Sequence, residues 1–204
     1  LMCDPRIVEN PHPIKIITYR ELRELSYMGA TVLHEESIFP VKLAGIPINI
    51  RNTNRPSDIG TMIVTSTDKY RTDDIITGIA GKKGFSVIRI EKDMMNQETG
   101  FGMKVLKVFS DLGVSFEHLP SGIDTMCVII NRDDISGRER EILSSISRAV
   151  NPDNIDYEPS LALIAVVGRN MAGMPGTAAR IFTSLAREGI NIRMIDQGSS
   201  ELNI

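Results

Sequence analysis

Apolar positions along the chain gather into short runs, and two long stretches of them superpose when the sequence is slid along itself by 76 residues. Val87, Ile88 and Ile90 then meet Leu163, Ile164 and Val166. Val105, Leu106 and Phe109 meet Ile181, Phe182 and Leu185, and Val114 and Phe116 meet Ile190 and Ile192. The punctuation follows the same offset: Met95, Gly100, Gly113 and Gly122 fall on Met171, Gly176, Gly189 and Gly198. A shared order of strand, glycine loop, helix, glycine and strand reads as a duplicated unit.

The pattern predicts the elements in turn. Residues 1–13 form a loop broken by Pro5, Pro11 and Pro13. Thr18 caps a helix from Tyr19 to about Met28, with Glu21 as capping-box partner. A second helix runs over 36–44 and stops at Gly45. Strands follow at 46–52 and 61–66. The Asn-, Pro- and Ser-rich segment 52–60 between them is expected to be a crossover, acting either as a hinge between two rigid bodies or as a passive linker with coupling carried by domain contacts. The apolar run 73–80 reads as an extra strand that completes the second copy. The first copy comprises a strand (85–91), a loop (93–100), a helix face over 102–112, strands at 114–119 and 125–130 around a turn, and a helix at 137–149. The second repeats this with a strand at 161–168, a helix from 176 to 187 and a strand at 190–196. It breaks off after SSELNI, where the first copy continues, so the chain is expected to be part of a longer protein. Strand, helix, strand, strand, helix, strand places two helices on one face of an antiparallel sheet. The fold class is therefore α+β, with tandem ferredoxin-like (βαββαβ) units.

Composition narrows the function classes. The chain has 204 residues, a net charge of −3 and 5% aromatic residues without Trp. This excludes the basic face that nucleic acid needs and the aromatic run that an RNA-binding sheet carries. Cys3 and Cys127 show neither metal spacing nor a disulfide framework, which fits a reducing, cytoplasmic setting. No apolar run is long enough to predict a membrane span.

No catalytic constellation or metal site is expected within the chain. His12, His34 and His118 share no ligand spacing with cysteines or carboxylates. The glycine loops NQETGFG (96–102) and NMAGMPGTA (170–178) are the better candidates. Each ends where a helix begins, and a helix start presents N–H groups and the positive end of a dipole to a carboxylate. The adjacent strand and turn, with Glu117 or Asp124, would complete a site for an amino acid. The glycines serving only as tight turns is the plain alternative.

At this point the sequence resembles a known family. CDPRIV (3–8) and ITYRELRELSYMGATVLHEESIFPV (17–41) resemble the end of the kinase domain of aspartokinases, CDPRIV matching their TxDPR nucleotide-side loop. GFGMKVLKVFSDLGVSFEHLPSGID (100–124) is similar to the first ACT domain of lysine-sensitive members from Gram-positive bacteria. MAGMPGTAARIFTSLAREGINIRMIDQGSSELNI (171–204) resembles the second ACT domain. The resemblance implies an enzyme that phosphorylates the β-carboxylate of L-aspartate with ATP and Mg2+, feedback-inhibited by lysine, alone or with threonine. It implies a homodimer built through the first ACT domains. It also implies a division into a kinase-domain end (1–56), a crossover (57–84) whose 73–80 strand joins the second ACT domain, a first ACT domain (85–158) and an incomplete second one (159–204).

Site residues are carried over position by position. Arg6 matches an arginine near the ATP phosphates. Thr31 stands where many members have a lysine in GAKVLH and receives no role. The phosphate loop and the aspartate-binding residues have no counterpart here, so this chain alone is expected to be inactive and to hold no cofactor. The effector positions are Met95, Glu98, Gly100, Phe101 and Gly102 in the loop, and Phe116, Glu117, Ser121, Gly122, Ile123 and Asp124 on the strand and turn. Two other readings remain beside the kinase: a stand-alone amino-acid sensor, and a dimerisation module whose loops bind nothing.

Overall fold

A computed structural model describes residues 1–29, 33, 35–70, 74–171, 173–197 and 202–204, without the side chains of 35–37. Thr31 and Gly198 lie outside the described residues. The chain forms two compact units, one of Leu1–Lys82 with Ile164–Ile204 and one of Lys83–Leu163.

The 83–163 unit is built on β4 (Gly78–Glu91), β5 (Thr125–Asn131) and β6 (Asn154–Val167), in the order β5-β4-β6. Strands β4 and β5 run antiparallel from Phe85↔Asn131 to Glu91↔Thr125. The strand expected at 114–119 is reduced to isolated bridges, His118↔Ile129 and Ser121↔Met126, on the free side of β5. Its bonds are Glu117 N–H to Ile129 O (2.8 Å), Ile129 N–H to His118 O (3.0 Å) and Cys127 N–H to Pro120 O (2.8 Å). Pro120 brings no donor of its own, which keeps this segment at an edge. The spatial order 116–121, β5, β4, β6 is that of the ferredoxin-like fold. Helix α3 (Phe101–Asp111) packs against α5 (Glu139–Val150), and the short α4 (Arg132–Ile135) precedes it. The helical periodicity of 102–112 buries Val105, Val108 and Phe109. They join Ile88, Ile90, Val128, Ile130, Ile142 and Ile146 in one core. At about 1.5–3 kcal/mol for each fully buried aliphatic or aromatic side chain, this core dominates the unit's stability.

The other unit opens with β1 (Ile16–Thr18), α1 (Tyr19–Tyr27), α2 (Glu35–Leu43), β2 (Ile48–Ile50) and β3 (Thr61–Val64). The sheet order is β1-β3-β2, with β1 parallel and β2 antiparallel to β3. This corrects the crossover expected at 52–60. Ile48 pairs with Ile63 and Ile50 with Thr61, so the polar segment is the loop of a hairpin inside one sheet. Turn composition marks a chain reversal equally well in a hairpin and in a linker, and only the pairing separates them. Strand β1 escapes the sequence pattern because three residues with one buried side chain show no alternation. The capping box is present: Glu21 N–H donates to Thr18 Oγ1 (3.2 Å) and Thr18 N–H to Glu21 Oε2 (2.8 Å).

Residues 164–204 belong to this unit. Val166 and Ile204 exchange backbone bonds, and Gly168 N–H donates to Leu202 O (2.9 Å). The separate strand expected at 73–80 does not form: 74–77 are irregular, 78–80 open β4, and residue 73 lies outside the described residues, while Thr77 N–H donates to Val167 O (2.7 Å) on the other side. Helix α6 (Thr177–Arg187) follows the glycine loop. The strand predicted over 190–196 does not form: Ile190 is 48% and Ile195 54% exposed. A strand pattern needs a ladder neighbour, and none of the described residues supplies one.

The duplication survives in detail. Gly100 (φ 79°) and Gly176 (φ 89°) sit in the left-handed region immediately before α3 and α6. Gly113 (φ 66°) and Gly189 (φ 68°) reverse the chain after each helix. Met95 and Met171 are both buried under their loops.

Candidate functional site

The first glycine loop leaves β4 at Glu91 and turns through a single 3₁₀ turn, Met95–Gln97, onto Gly100. No side chain caps α3, and its first N–H, that of Phe101, turns back onto the carbonyl of Glu98 (3.2 Å). Met95 and Phe101 are buried and anchor the loop from below. Glu98 is held by two cations: Lys92 Nζ at 2.5 Å from Oε2 and Lys104 Nζ at 2.6 Å from Oε1. Lys104 first, and Lys92 next, hold its carboxyl below the ordinary range. Lys92 Nζ also donates to Val150 O (2.6 Å) and stands 5.8 Å from the centre of the Phe101 ring. Lys92 was not among the residues singled out by the sequence pattern. A lysine just past a strand end carries no periodic signal.

The turn residues come up beside this helix start. Lys92 N–H donates to Asp124 O (2.9 Å), and Gly122 N–H donates to Thr125 O (2.7 Å). A Cβ on Gly102 would lie 4.0 Å from Met126 Cε, so the second residue of α3 faces the first residues of β5. Ser121, Gly122, Ile123 and Asp124 are exposed, Ile123 to 70%. Phe116 and Glu117 lie further along the edge, where Glu117 pairs with Ile129. That is about 10 Å down the strand from Met126. The structure thus joins the loop, the start of α3 and the 121–124 turn, and leaves Glu117 at a distance from them.

Arg6 lies in the other unit. Its guanidinium is clamped by Asp4, with Nη2 2.7 Å and Nε 3.1 Å from Oδ2. The side-chain hydrogen bond from Arg6 pulls the Asp4 carboxyl down to about 2. The arginine remains 84% exposed, so its outer face is open to an anion. Among the described residues no cluster of His, Cys, Asp and Glu could hold a metal ion. No helix among them is long and apolar enough to cross a membrane.

Comparison with known proteins places these features in a family. Residues 1–52 match the amino acid kinase family and residues 164–204 match the ACT domain. Aspartokinase 3 of Bacillus subtilis (strain 168) is 43% identical over 202 residues, which cover 98% of this chain and 44% of that protein. The crystal structure of Clostridium acetobutylicum aspartate kinase superposes with a TM-score of 0.91 at 56% identity, over 100% of this chain and 47% of that one. The chain belongs to the aspartokinase family, in its C-terminal part. Its fold is accordingly the end of an amino-acid-kinase domain followed by ferredoxin-like ACT units. The E. coli aspartokinase III complex with lysine and aspartate shares the fold, with a TM-score of 0.71 at 23% identity over 99% of this chain and 44% of that one. The chain spans about half the length of these aspartokinases.

Proposed function

We propose that this chain is the regulatory part of an aspartate kinase, which transfers the γ-phosphoryl group of ATP, with Mg2+, to the β-carboxylate of L-aspartate. One observation carries the reading: a kinase-domain end and an ACT match occur in one chain, and both belong to one compact unit. A free-standing sensor has no use for the Asp4–Arg6 loop or the sheet and helices of 1–64. Arg6 would meet the ATP phosphates, its Nε and Nη2 already oriented by Asp4.

In this reading 1–56 is the kinase-domain end and 57–84 leads to the ACT domains. Residues 85–158 form the first ACT domain, and 159–204 with residues 73–80 form the second. Lysine, alone or with threonine, is the feedback inhibitor, and the protein is a cytoplasmic homodimer through its first ACT domains. The effector's α-carboxylate lies on the N–H groups at Phe101 and Gly102. Its ammonium groups are met by the 121–124 turn and Asp124. Glu98, already paired with two lysines, shapes the loop instead of receiving a ligand cation.

The test is an assay of the complete gene product with ATP, Mg2+ and aspartate, together with calorimetry against lysine, threonine and methionine. Phosphorylation of aspartate that lysine suppresses is the expected result. An active enzyme indifferent to all three amino acids rejects the effector assignment, and an inactive one rejects the catalytic assignment.

A further inference from the structure

One buried carboxylate joins three distant parts of the chain. Glu21 is fully buried in the first turn of α1. Its Oε2 accepts the Thr18 N–H (2.8 Å) and Oγ1 (2.7 Å), which is the cap of the kinase-end helix. Its Oε1 accepts Thr77 Oγ1 (2.5 Å) from the segment that leads into β4. The same oxygen accepts Arg169 Nε (2.9 Å). Arg169 stands where β6 gives way to the second glycine loop, and its Nη2 donates to Ile16 O (3.0 Å) in β1. One turn along α1, Glu24 Oε2 accepts Asn203 Nδ2 (2.7 Å) from the segment paired with β6. The segment around the start of β4 faces both ways. Thr77 N–H goes to Val167 O, and Ile79 N–H goes to Met2 O, next to the Asp4–Arg6 loop, each at 2.7 Å.

We infer that Arg169 and Glu21 are the relay through which residues 164–204 and the kinase end, residues 1–29, set each other's state. Arg169 is a positioning residue that acts on α1 through Glu21 and touches no ligand. The reasoning is electrostatic. A buried carboxylate left without its arginine is strongly disfavoured, so the two move together or not at all. Any displacement of Arg169, the residue that leads into the second glycine loop, therefore pulls on the cap of α1 and on the carbonyl of Ile16. Coupling of this kind is an energy difference between two states that both ends share. It also needs no flexible connector, which fits the finding that 52–60 is a hairpin loop.

The inference rests on the regulatory reading above, and its test separates the two. In the complete gene product, backbone amide exchange at residues 18–22 is measured with and without lysine, alongside lysine binding by calorimetry and inhibition of phosphoryl transfer. In the unaltered protein lysine should change exchange there by about threefold or more. Arg169→Met and Glu21→Gln should bind lysine within about threefold of normal, yet need about tenfold more lysine for half-inhibition. The double variant should be no worse than either single one, because both break the same link. Arg169→Lys keeps the charge but loses the guanidinium fork, and it carries the test if the methionine variant does not fold. Unchanged inhibition in the variants, loss of lysine binding itself, or exchange at 18–22 indifferent to lysine in the unaltered protein each overturns the relay. Absence of aspartate phosphorylation would instead reject the catalytic reading, and the exchange measurement would still decide the relay.

Discussion

Lys92 Nζ lies 2.5 Å from Glu98 Oε2, across the span of the first glycine loop. The pair closes the loop on itself, and Lys92 then ties it to the end of α5 through Val150 O. A ligand entering at Gly100–Gly102 therefore meets a loop that is already ordered, which lowers the entropy cost of binding. It also meets a carboxylate that is already neutralised. On the reading proposed above, Glu98 is therefore not the acidic partner of a lysine effector.

Replacing Lys92 by Met should release the loop without emptying the core. Amide exchange over 95–103 should speed up, and lysine should bind several-fold more weakly because the loop must now be ordered on binding. Exchange and affinity both unchanged would mean that Lys104 alone is enough to hold Glu98.

Of the two acidic residues named for the effector's ammonium, Asp124 is the one whose main chain joins the loop, its backbone carbonyl accepting the Lys92 N–H. Asp124→Ala should cost about 1–3 kcal/mol of lysine binding, the range for a lost charged hydrogen bond. Glu117→Ala, about 10 Å down the edge segment, should cost less than half as much. Calorimetry on both variants checks the order, and the reverse order would move the ligand toward Phe116.

Thr18 gives a cleaner test of local stability, because its hydroxyl caps α1 while its backbone belongs to β1. Thr18→Ala should destabilise the protein by about 0.5–2 kcal/mol, the usual range for a lost N-cap. Thr18→Ser should restore most of this in a urea titration.

The parts of the fold written in local pattern could be read from the sequence. The 76-residue repeat gave the matched glycines, the helix faces and the ferredoxin-like order. The Thr18–Glu21 box gave the start of α1. What stayed hidden depends on partners far along the chain. Strand β1 is three residues long and exists because β3 lies beside it. The 190–196 segment has a strand's alternation and no described ladder. Glu21 was legible as a helix cap, but its bond to Arg169 spans 148 positions and leaves no periodic trace. At the site, the glycines and Asp124 carried a local signal, whereas Lys92 acts only through the folded loop.

Acid should weaken the protein through Glu21. Burial pushes its carboxyl up, but the hydrogen bonds from Thr77, Thr18 and Arg169 outweigh this and leave it below the ordinary 4.5. A carboxyl depressed in the folded state stabilises the fold above its unfolded value and loses that contribution as pH falls through the folded value. Unfolding free energy should therefore fall as pH drops below about 4.5, and Glu21→Gln should flatten that slope. Urea titrations between about pH 6 and pH 3 decide it; parallel slopes for the two proteins would assign acid sensitivity elsewhere.

Gly168 is where the irregular segment 75–77, just before β4, meets the end of β6. Its N–H bonds Leu202 on one side, while its open α-carbon faces the carbonyl of Ile75 on the other. A Cβ there would overlap Ile75 O and come within 2.9 Å of Ile76 Cα, both main-chain atoms that cannot swing aside. Gly168→Ala should therefore push 75–77 away from β6 and break the bond from Thr77 N–H to Val167 O. The cost should be about 1–3 kcal/mol, as for other overpacked sites. The loss should be local: amides of 77–79 should exchange faster, while those of α3 and α5 in the 83–163 unit keep their protection. Gly84→Ala is the control. It has a positive φ of 94° but open space around its α-carbon, so it should strain only its own backbone and leave Thr77 protected. If Gly168→Ala leaves the Thr77 amide as slow as before, the 75–77 segment is not held by β6 in solution.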